Sequence, residues 1–276
     1  MKLVQFASLW TLVNHPSRQR EWSLEKKLQA IQAAGFGGVR ARLDFAIGSL
    51  ARRQGLFAIG LVFADDPADY ANLLRVQKGF GAERVDVQLG THLTTPAEAV
   101  RKWILLEKEA LKLDLAISLE THRGTATETL EKLLEISQRY EKATGGLLRL
   151  TWDFSHYAVV KDLRTGNFVE QLLAFPNLVQ HATQFQFRPF NGEHAQLPVT
   201  YKREIAPEVL DYLTFAEEIM RVWKSSPTNR DTTLFACPDL GPVGGYALTS
   251  FPPVWPDALT LSAELATCWK KAGGSE

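Results

Sequence analysis

Cysteine is scarce in this chain: Cys237 and Cys268 are the only two in 276 residues. Two cysteines give no disulfide framework, and the expectation is a protein of the reducing cytoplasm. Long apolar runs are missing as well. None approaches the roughly 18 residues needed to span a bilayer, so no membrane partner is expected. Nor is there a charge excess, because 31 Lys and Arg meet 31 Asp and Glu. No stretch gathers the basic residues into a phosphate-tracking surface, which argues against nucleic acid as a partner. Residues 1–14 share one Lys and a short apolar run with signal peptides, but no small-residue cleavage site precedes the charged residues 17–27. They read as a first strand. No internal repeat or low-complexity segment is visible.

What the chain does have is apolar sequence, 45% of its residues, enough for a large core. Strand-like runs alternate with amphipathic helical patterns over nearly the whole length. The pattern predicts strands at 3–12, 38–43, 56–63, 85–89, 115–119, 147–152, 179–187 and 233–236. It predicts helices at 24–34, 45–54, 67–78, 96–112, 126–140, 168–174, 207–223 and 259–271. Alternation of this kind builds βαβ units on a parallel sheet. Eight pairs within residues 1–276, read as one domain, point to an α/β protein with a closed (β/α)8 barrel.

Catalytic groups in such a barrel come from the carboxyl ends of several strands. The first four strands end unremarkably, with Trp10, Arg40, Arg42 and Asp44, Asp65 and Asp66, and Gln88 with His92. The last four end in chemistry. The fifth delivers Glu120 and His122, the sixth Asp153 and His156, the seventh Gln186 and Arg188, and the eighth Asp239. Three carboxylates and an amide oxygen around one mouth suit Mg²⁺ or Mn²⁺, with Co²⁺ or Zn²⁺ if an imidazole joins. Without a cation they would repel one another and raise at least one pKa. Each residue also has a plainer reading. A carboxylate just past a strand can simply enter solvent or cap a helix. His122 can be a loop polar group and His156 can pack under the next loop. The polar residues of 184–188 suit the outward face of an edge-like strand, and Asp239 suits a turn. Two long loops, 188–203 and 238–256, carry aromatics, Gly and Pro and read as lids or rims. Trp10, Phe190, Tyr246 and Trp255 are candidates for an apolar wall.

The spacing of these residues resembles that of the xylose isomerase-like TIM barrels, the sugar phosphate isomerase/epimerase superfamily that includes ketose 3-epimerases, inosose dehydratases and endonuclease IV. In that pattern the fifth strand ends in a Glu with His two residues on and a Gly-Thr pair, as in Glu120, His122, Gly124 and Thr125. The sixth ends in Asp with His three residues on, as in Asp153 and His156. The eighth resembles Pro238, Asp239, Leu240, Gly241 and Pro242 followed by Tyr246. The resemblance implies a divalent metal (Mn, Mg, Co or Zn) on Glu120, Asp153, Gln186 and Asp239. It also implies His156 and Arg188 on substrate oxygens, with His122 beside them. Three positions depart from the pattern. Gln186 stands for the usual His, Asp239 for the usual Glu, and Val39 and Arg40 occupy the region of a common second-strand Glu.

The resemblance implies a metal-dependent isomerase or epimerase of a small sugar, polyol or related hydroxycarbonyl compound, with Glu120 and Asp239 as the acid/base pair. A lyase or hydrolase of the same superfamily, and a barrel that has lost metal chemistry and serves as a binding protein, are the alternatives. The endonuclease branch needs a His-rich zinc cluster and a basic surface, and this chain has six His and no net charge. A homo-oligomer is left open, since the aromatic loop at 246–255 suits a partner subunit as well as a substrate.

Overall fold

The computed structural model describes residues 1–164 and 166–273. Eight parallel strands close into a barrel: β1 (Lys2–Ser8), β2 (Gly38–Ala41), β3 (Phe57–Ala64), β4 (Ala82–Leu89), β5 (Ala116–Glu120), β6 (Leu150–Trp152), β7 (Ala182–Phe187) and β10 (Thr233–Pro238). Each pairs with its sequence neighbours, and β1 closes the ring on β10 with Lys2 opposite Thr233. A small antiparallel hairpin, β8 (Thr200–Tyr201) and β9 (Glu204–Ile205), stands apart. The (β/α)8 architecture expected from the sequence is the observed one.

Around the barrel lie the helices α1 (Leu24–Ala33), α2 (Phe45–Arg53), α3 (Tyr70–Gly79), α4 (Pro96–Lys112) and α5 (Leu130–Thr144). The short α6 (Ser155–Ala158), α7 (Phe168–Leu172) and α8 (Pro176–Gln180) follow, then α9 (Leu210–Lys224) and α10 (Val254–Lys271). Side-chain oxygens start several of them: Ser23, Asp44, Thr95 and Thr129 each accept a backbone N–H of the first turn. Caps of this kind stabilise by about 1 kcal/mol each.

Several boundaries differ from the sequence expectation, four of them for a clear local reason. The first strand stops at Ser8, and Leu9–Leu12 form a 3-10 turn that carries Trp10 toward the barrel mouth. The fifth helix starts at Leu130, because Thr125 and Thr127 donate their hydroxyls to the carbonyls of His122 and Glu120 and hold 121–129 as a loop. Residues 179 and 180 are helical, since Pro176 opens α8. The last helix begins at Val254 rather than 259, with Pro256 in its first turn, where a missing N–H goes unmissed.

The alternation of residues 184–188 runs opposite to the edge-strand reading. Gln184 and Gln186 are buried, and Gln184 reaches Asp86 on β4, from which β7 is separated by two other strands, which is possible only across the barrel interior. Phe185 and Phe187 face the helices instead, and Phe185 stacks on Phe154 in an aromatic cluster that includes Phe190 and Phe215 of α9. At the amino ends of the strands the interior is apolar, with Phe6, Ile59 and Cys237 packed against Phe57 and Phe235. Above that floor it turns polar.

Candidate active site

The polar layer is built around Asp86, which is fully buried. Its carboxylate accepts from Arg40 Nε (2.6 Å, β2), Gln184 Nε2 (2.6 Å, β7), Thr151 Oγ1 (3.0 Å, β6) and Ser118 Oγ (3.3 Å, β5). Four strands thus hold one carboxylate, and the carboxylate holds Arg40. The same guanidinium donates through Nη2 to Glu120 Oε2 at 2.6 Å, while Gln88 Nε2 donates to Glu120 Oε1 at 3.2 Å.

A second guanidinium organises the other side. Arg188 Nη2 donates to Asp239 Oδ2 at 2.6 Å, its Nε to the Asp239 carbonyl at 2.8 Å, and its Nη1 to Ser155 Oγ at 2.9 Å. Nη1 also lies 3.0 Å from Asp153 Oδ2, close enough for an ion pair although the angle makes no hydrogen bond. Asp153 Oδ1 accepts from the backbone N–H and hydroxyl of Ser155. His156 Nε2 is 3.4 Å from Asp153 Oδ2, and its ring lies 4.0 Å from that of His122.

Electrostatics follow from this packing. Burial raises the pKa of Glu120 to about 7; Arg40 opposes the rise, and Asp86, Asp239 and Asp153 add to it. Burial raises Asp153 too, against the pull of Arg188. Burial alone would lower the pKa values of Arg40 and Arg188, but their carboxylate partners outweigh it and hold both above the usual value. Burial lowers His122 to about 4 and pushes His156 well below its ordinary range. Both imidazoles are therefore neutral at pH 7, and the His122 Nδ1 lies 2.6 Å from the Arg123 carbonyl, which assigns the proton to that nitrogen.

A cavity of about 680 Å³ opens at the carboxyl ends of the strands, within the size range of small-molecule sites. Glu120, Asp239, Arg40, Arg188 and His122 line it opposite an apolar wall that includes Trp10, Leu61, Phe63 and Tyr246. Tyr246 meets Trp10 edge-on at 5.1 Å and has the Arg123 and Arg188 guanidiniums at 4.8 and 4.7 Å. Of the residues singled out from sequence, Glu120, His122, Arg188 and Asp239 reach this cavity; Asp153, Gln186 and His156 sit in the shell behind it. Two of the four proposed wall aromatics do not reach it: Phe190 is buried among Phe168, Tyr212 and Phe215, and Trp255 packs beside Phe36.

Both long loops form the rim as one unit. Gln196 of the first exchanges two hydrogen bonds with the backbone of Gly241 in the second, at 3.0 and 2.7 Å. Asp257, at the start of α10, accepts from Val199 N and Thr200 Oγ1 at 2.7 Å each.

Asp86 and Gln184 are site residues that the sequence reading does not single out, and Arg40 and Gln88 figure in it only as unremarkable strand ends. The signal was present in the period-2 spacing of Arg84, Asp86 and Gln88, and of Gln184, Gln186 and Arg188, which puts polar groups on one face of a strand whose other face is apolar.

The metal set implied by the family resemblance does not fit these residues. Among the described residues no three His, Cys, Asp or Glu side chains are grouped so as to share a cation. Glu120, Asp153 and Asp239 each face a guanidinium instead. A divalent ion at about 2.1 Å from Glu120 Oε2 would lie within about 4.7 Å of Arg40 Nη2. At an effective dielectric of about 20 that repulsion is about 7 kcal/mol, which offsets part of the attraction to the carboxylate, and the ion would have to displace the guanidinium that already holds Oε2 at 2.6 Å. Among the described residues Asp239 Oδ1, Asp153 Oδ2 and Gln186 Nε2 are buried without a hydrogen-bond partner.

Fold and site together define a (β/α)8 barrel with a polar, carboxylate-bearing cavity at the catalytic face. More narrowly, the fold is that of the xylose isomerase-like TIM barrels. A D-tagatose 3-epimerase-like protein superposes with a TM-score of 0.60 at 16% identity, over 98% of this chain and 99% of that one. A xylose isomerase-like TIM barrel protein from Mycobacterium smegmatis, solved in complex with magnesium, gives 0.58 at 14% identity, over 96% and 97%. A probable 3-DHS dehydratase from Bacillus anthracis gives 0.58 at 15%, over 97% and 98%. No protein-family model and no curated protein sequence matches the chain. No helix of the described residues is long and apolar enough to cross a membrane.

Proposed function

We propose that this protein is an isomerase or epimerase that moves a proton on a small hydroxycarbonyl compound of the sugar or polyol class, with Glu120 as the principal acid/base group. The observation that carries the reading is the position of Glu120, a buried carboxylate that lines a substrate-sized cavity and whose pKa burial pushes up to about 7. A base with a pKa near the working pH both holds its charge and returns its proton readily.

In this reading Glu120 removes a proton from the carbon next to the carbonyl. The C–H electron pair passes into the new C=C bond and the carbonyl π pair to oxygen, giving an enediolate. Return of a proton to the same carbon from the opposite side, by Asp239 when it enters the step protonated, inverts that centre and leaves Glu120 protonated and Asp239 ionised, both reset by exchange with water; return of the abstracted proton by Glu120 to the neighbouring carbon isomerises the compound. Asp239 borders the cavity with its Oδ2 held by Arg188. Trp10 and Tyr246 cover the carbon face. The fold likeness to an epimerase-like protein supports this reading, and the likeness to a dehydratase supports an elimination that would begin with the same proton abstraction.

The test is proton exchange. Incubation with a panel of ketoses, polyol-derived ketones and hydroxy-keto acids in D₂O, followed by NMR, should show deuterium entering the carbon beside the carbonyl of at least one compound. Water loss instead of exchange would assign a lyase. Binding without exchange, across a panel that includes every triose to hexose ketose, would make the barrel a binding protein and end the proposal.

A further inference from the structure

We infer that Arg40 is the resident cation of this barrel, so that the proton-transfer chemistry proceeds on a guanidinium and needs no divalent metal. The inference rests on the proton-transfer reading for its chemistry, but its central observation stands independently of the substrate.

Arg40 is placed by the framework and not by Glu120. Its Nε is bound to Asp86, and Asp86 is in turn fixed by Gln184, Thr151 and Ser118 from three further strands. The guanidinium therefore stays at the head of the barrel whatever Glu120 does. Burial makes retreat costly: Arg40 is 5% exposed and Asp86 fully enclosed. From that anchor Nη2 reaches Glu120 Oε2, while Nη1 makes no hydrogen bond among the described residues and Arg40 borders the cavity. One planar group thus holds its anchor through one edge, the base through a second, and keeps a donor for a substrate oxygen.

Chemically this is what the step needs. As Glu120 takes the proton, negative charge leaves the carboxylate and grows on the carbonyl oxygen. Contact with Arg40 weakens Glu120 as a base, but the part of the same fixed guanidinium that faces the cavity stabilises the charge growing on the carbonyl oxygen without having to move, and a preorganised donor is most effective where water is excluded. A guanidinium keeps its charge at any physiological pH. Arg188 plays the matching role on the far side, paired with Asp153 and Asp239. The cation supplied by the chain is accompanied by changes at the expected ligand positions: an amide, Gln186, stands where an imidazole would bind a metal well, and it presents a donor nitrogen.

The experiment uses the full chain stripped with EDTA and then titrated with Mn²⁺, followed by the electron paramagnetic resonance of free Mn²⁺ and by thermal unfolding. No depletion of the free Mn²⁺ signal and no change in melting temperature are expected up to about 1 mM. A site occupied at about a hundred times its dissociation constant would raise the melting temperature by roughly 5–10 °C in a chain of this size. Stoichiometric Mn²⁺ uptake, or deuterium exchange that disappears with EDTA and returns with Mn²⁺, would overturn the inference while leaving proton transfer intact. Exchange that persists in EDTA supports it. Absence of both metal uptake and exchange supports the metal-free site and counts against the proton-transfer reading alone. Arg40→Lys, which keeps the charge but cannot bridge Asp86 and Glu120 together, should lose about 100-fold in exchange rate with the melting temperature changed by only a few degrees. Exchange at the wild-type rate in that variant would remove Arg40 from the chemistry.

Discussion

Arg40 Nη2 and Glu120 Oε2 are 2.6 Å apart, although their strands, β2 and β5, are separated in the barrel by two others. The contact spans the interior just below the cavity. It joins a buried cation anchored on Asp86 to the carboxylate that lines the cavity, and the first two predictions follow from it.

Glu120→Gln should lower deuterium exchange by at least about 100-fold, the ordinary worth of a positioned base. The amide oxygen can still accept from Arg40, so the fold survives and circular dichroism should show a cooperative melt. Exchange at the wild-type rate would transfer the role to Asp239.

The exchange rate should fall as pH drops through about 7, because Glu120 acts as a base only when ionised and burial has raised its pKa to that value. The sign for stability is opposite. The folded pKa lies above the ordinary 4.5, so the folded state holds the proton more tightly. That contribution is fully present below pH 4.5 and is lost as pH rises through about 7. Urea unfolding at pH 5 and at pH 8 should show the loss in wild type and a smaller one in Glu120→Gln; equal slopes in the two proteins would contradict it.

Asp86→Asn should destabilise by about 3–5 kcal/mol, the cost of leaving a buried partner's charge uncompensated. The amide cannot accept from four donors at once and keeps no negative charge against Arg40. Chemical denaturation measures this directly, and a change under about 1 kcal/mol would mean that Glu120 alone satisfies Arg40.

Gly241→Ala should raise KM more than it lowers kcat. A Cβ there would stand 2.0 Å from the Trp10 ring, and the backbone of Gly241 cannot yield, because Gln196 holds both its N–H and its carbonyl. Trp10 must swing away and break its edge contact with Tyr246, opening the apolar wall while leaving Glu120 untouched. An unchanged KM for a substrate found by the exchange assay would show that Trp10 does not cover it.

Much of this was legible before any coordinates. Hydrophobic periodicity marked eight βα pairs, and polar residues placed abruptly after apolar runs marked the mouth of the barrel. Glu120, His122, Arg188 and Asp239 were all found that way, and all border the cavity. Boundaries set by side-chain hydrogen bonds were harder to see, as with Thr125 and Thr127, whose hydroxyls delay α5. The inward polar face of β7 is misread as outward for a related reason. A period of two tells which residues share a face, but not whether that face looks into the barrel or away from it.

The sequence by itself determined the barrel and the ends of its last four strands, because a strand buried on both faces must be apolar until it leaves the core. Only the tertiary structure decided how the charges pair. Arg40 and Asp86 are 46 residues apart and Arg40 and Glu120 are 80 apart, and nothing local links them. Closing the ring brings them into one low-dielectric interior, where each carboxylate must find a cation and the nearest is a guanidinium supplied by the chain.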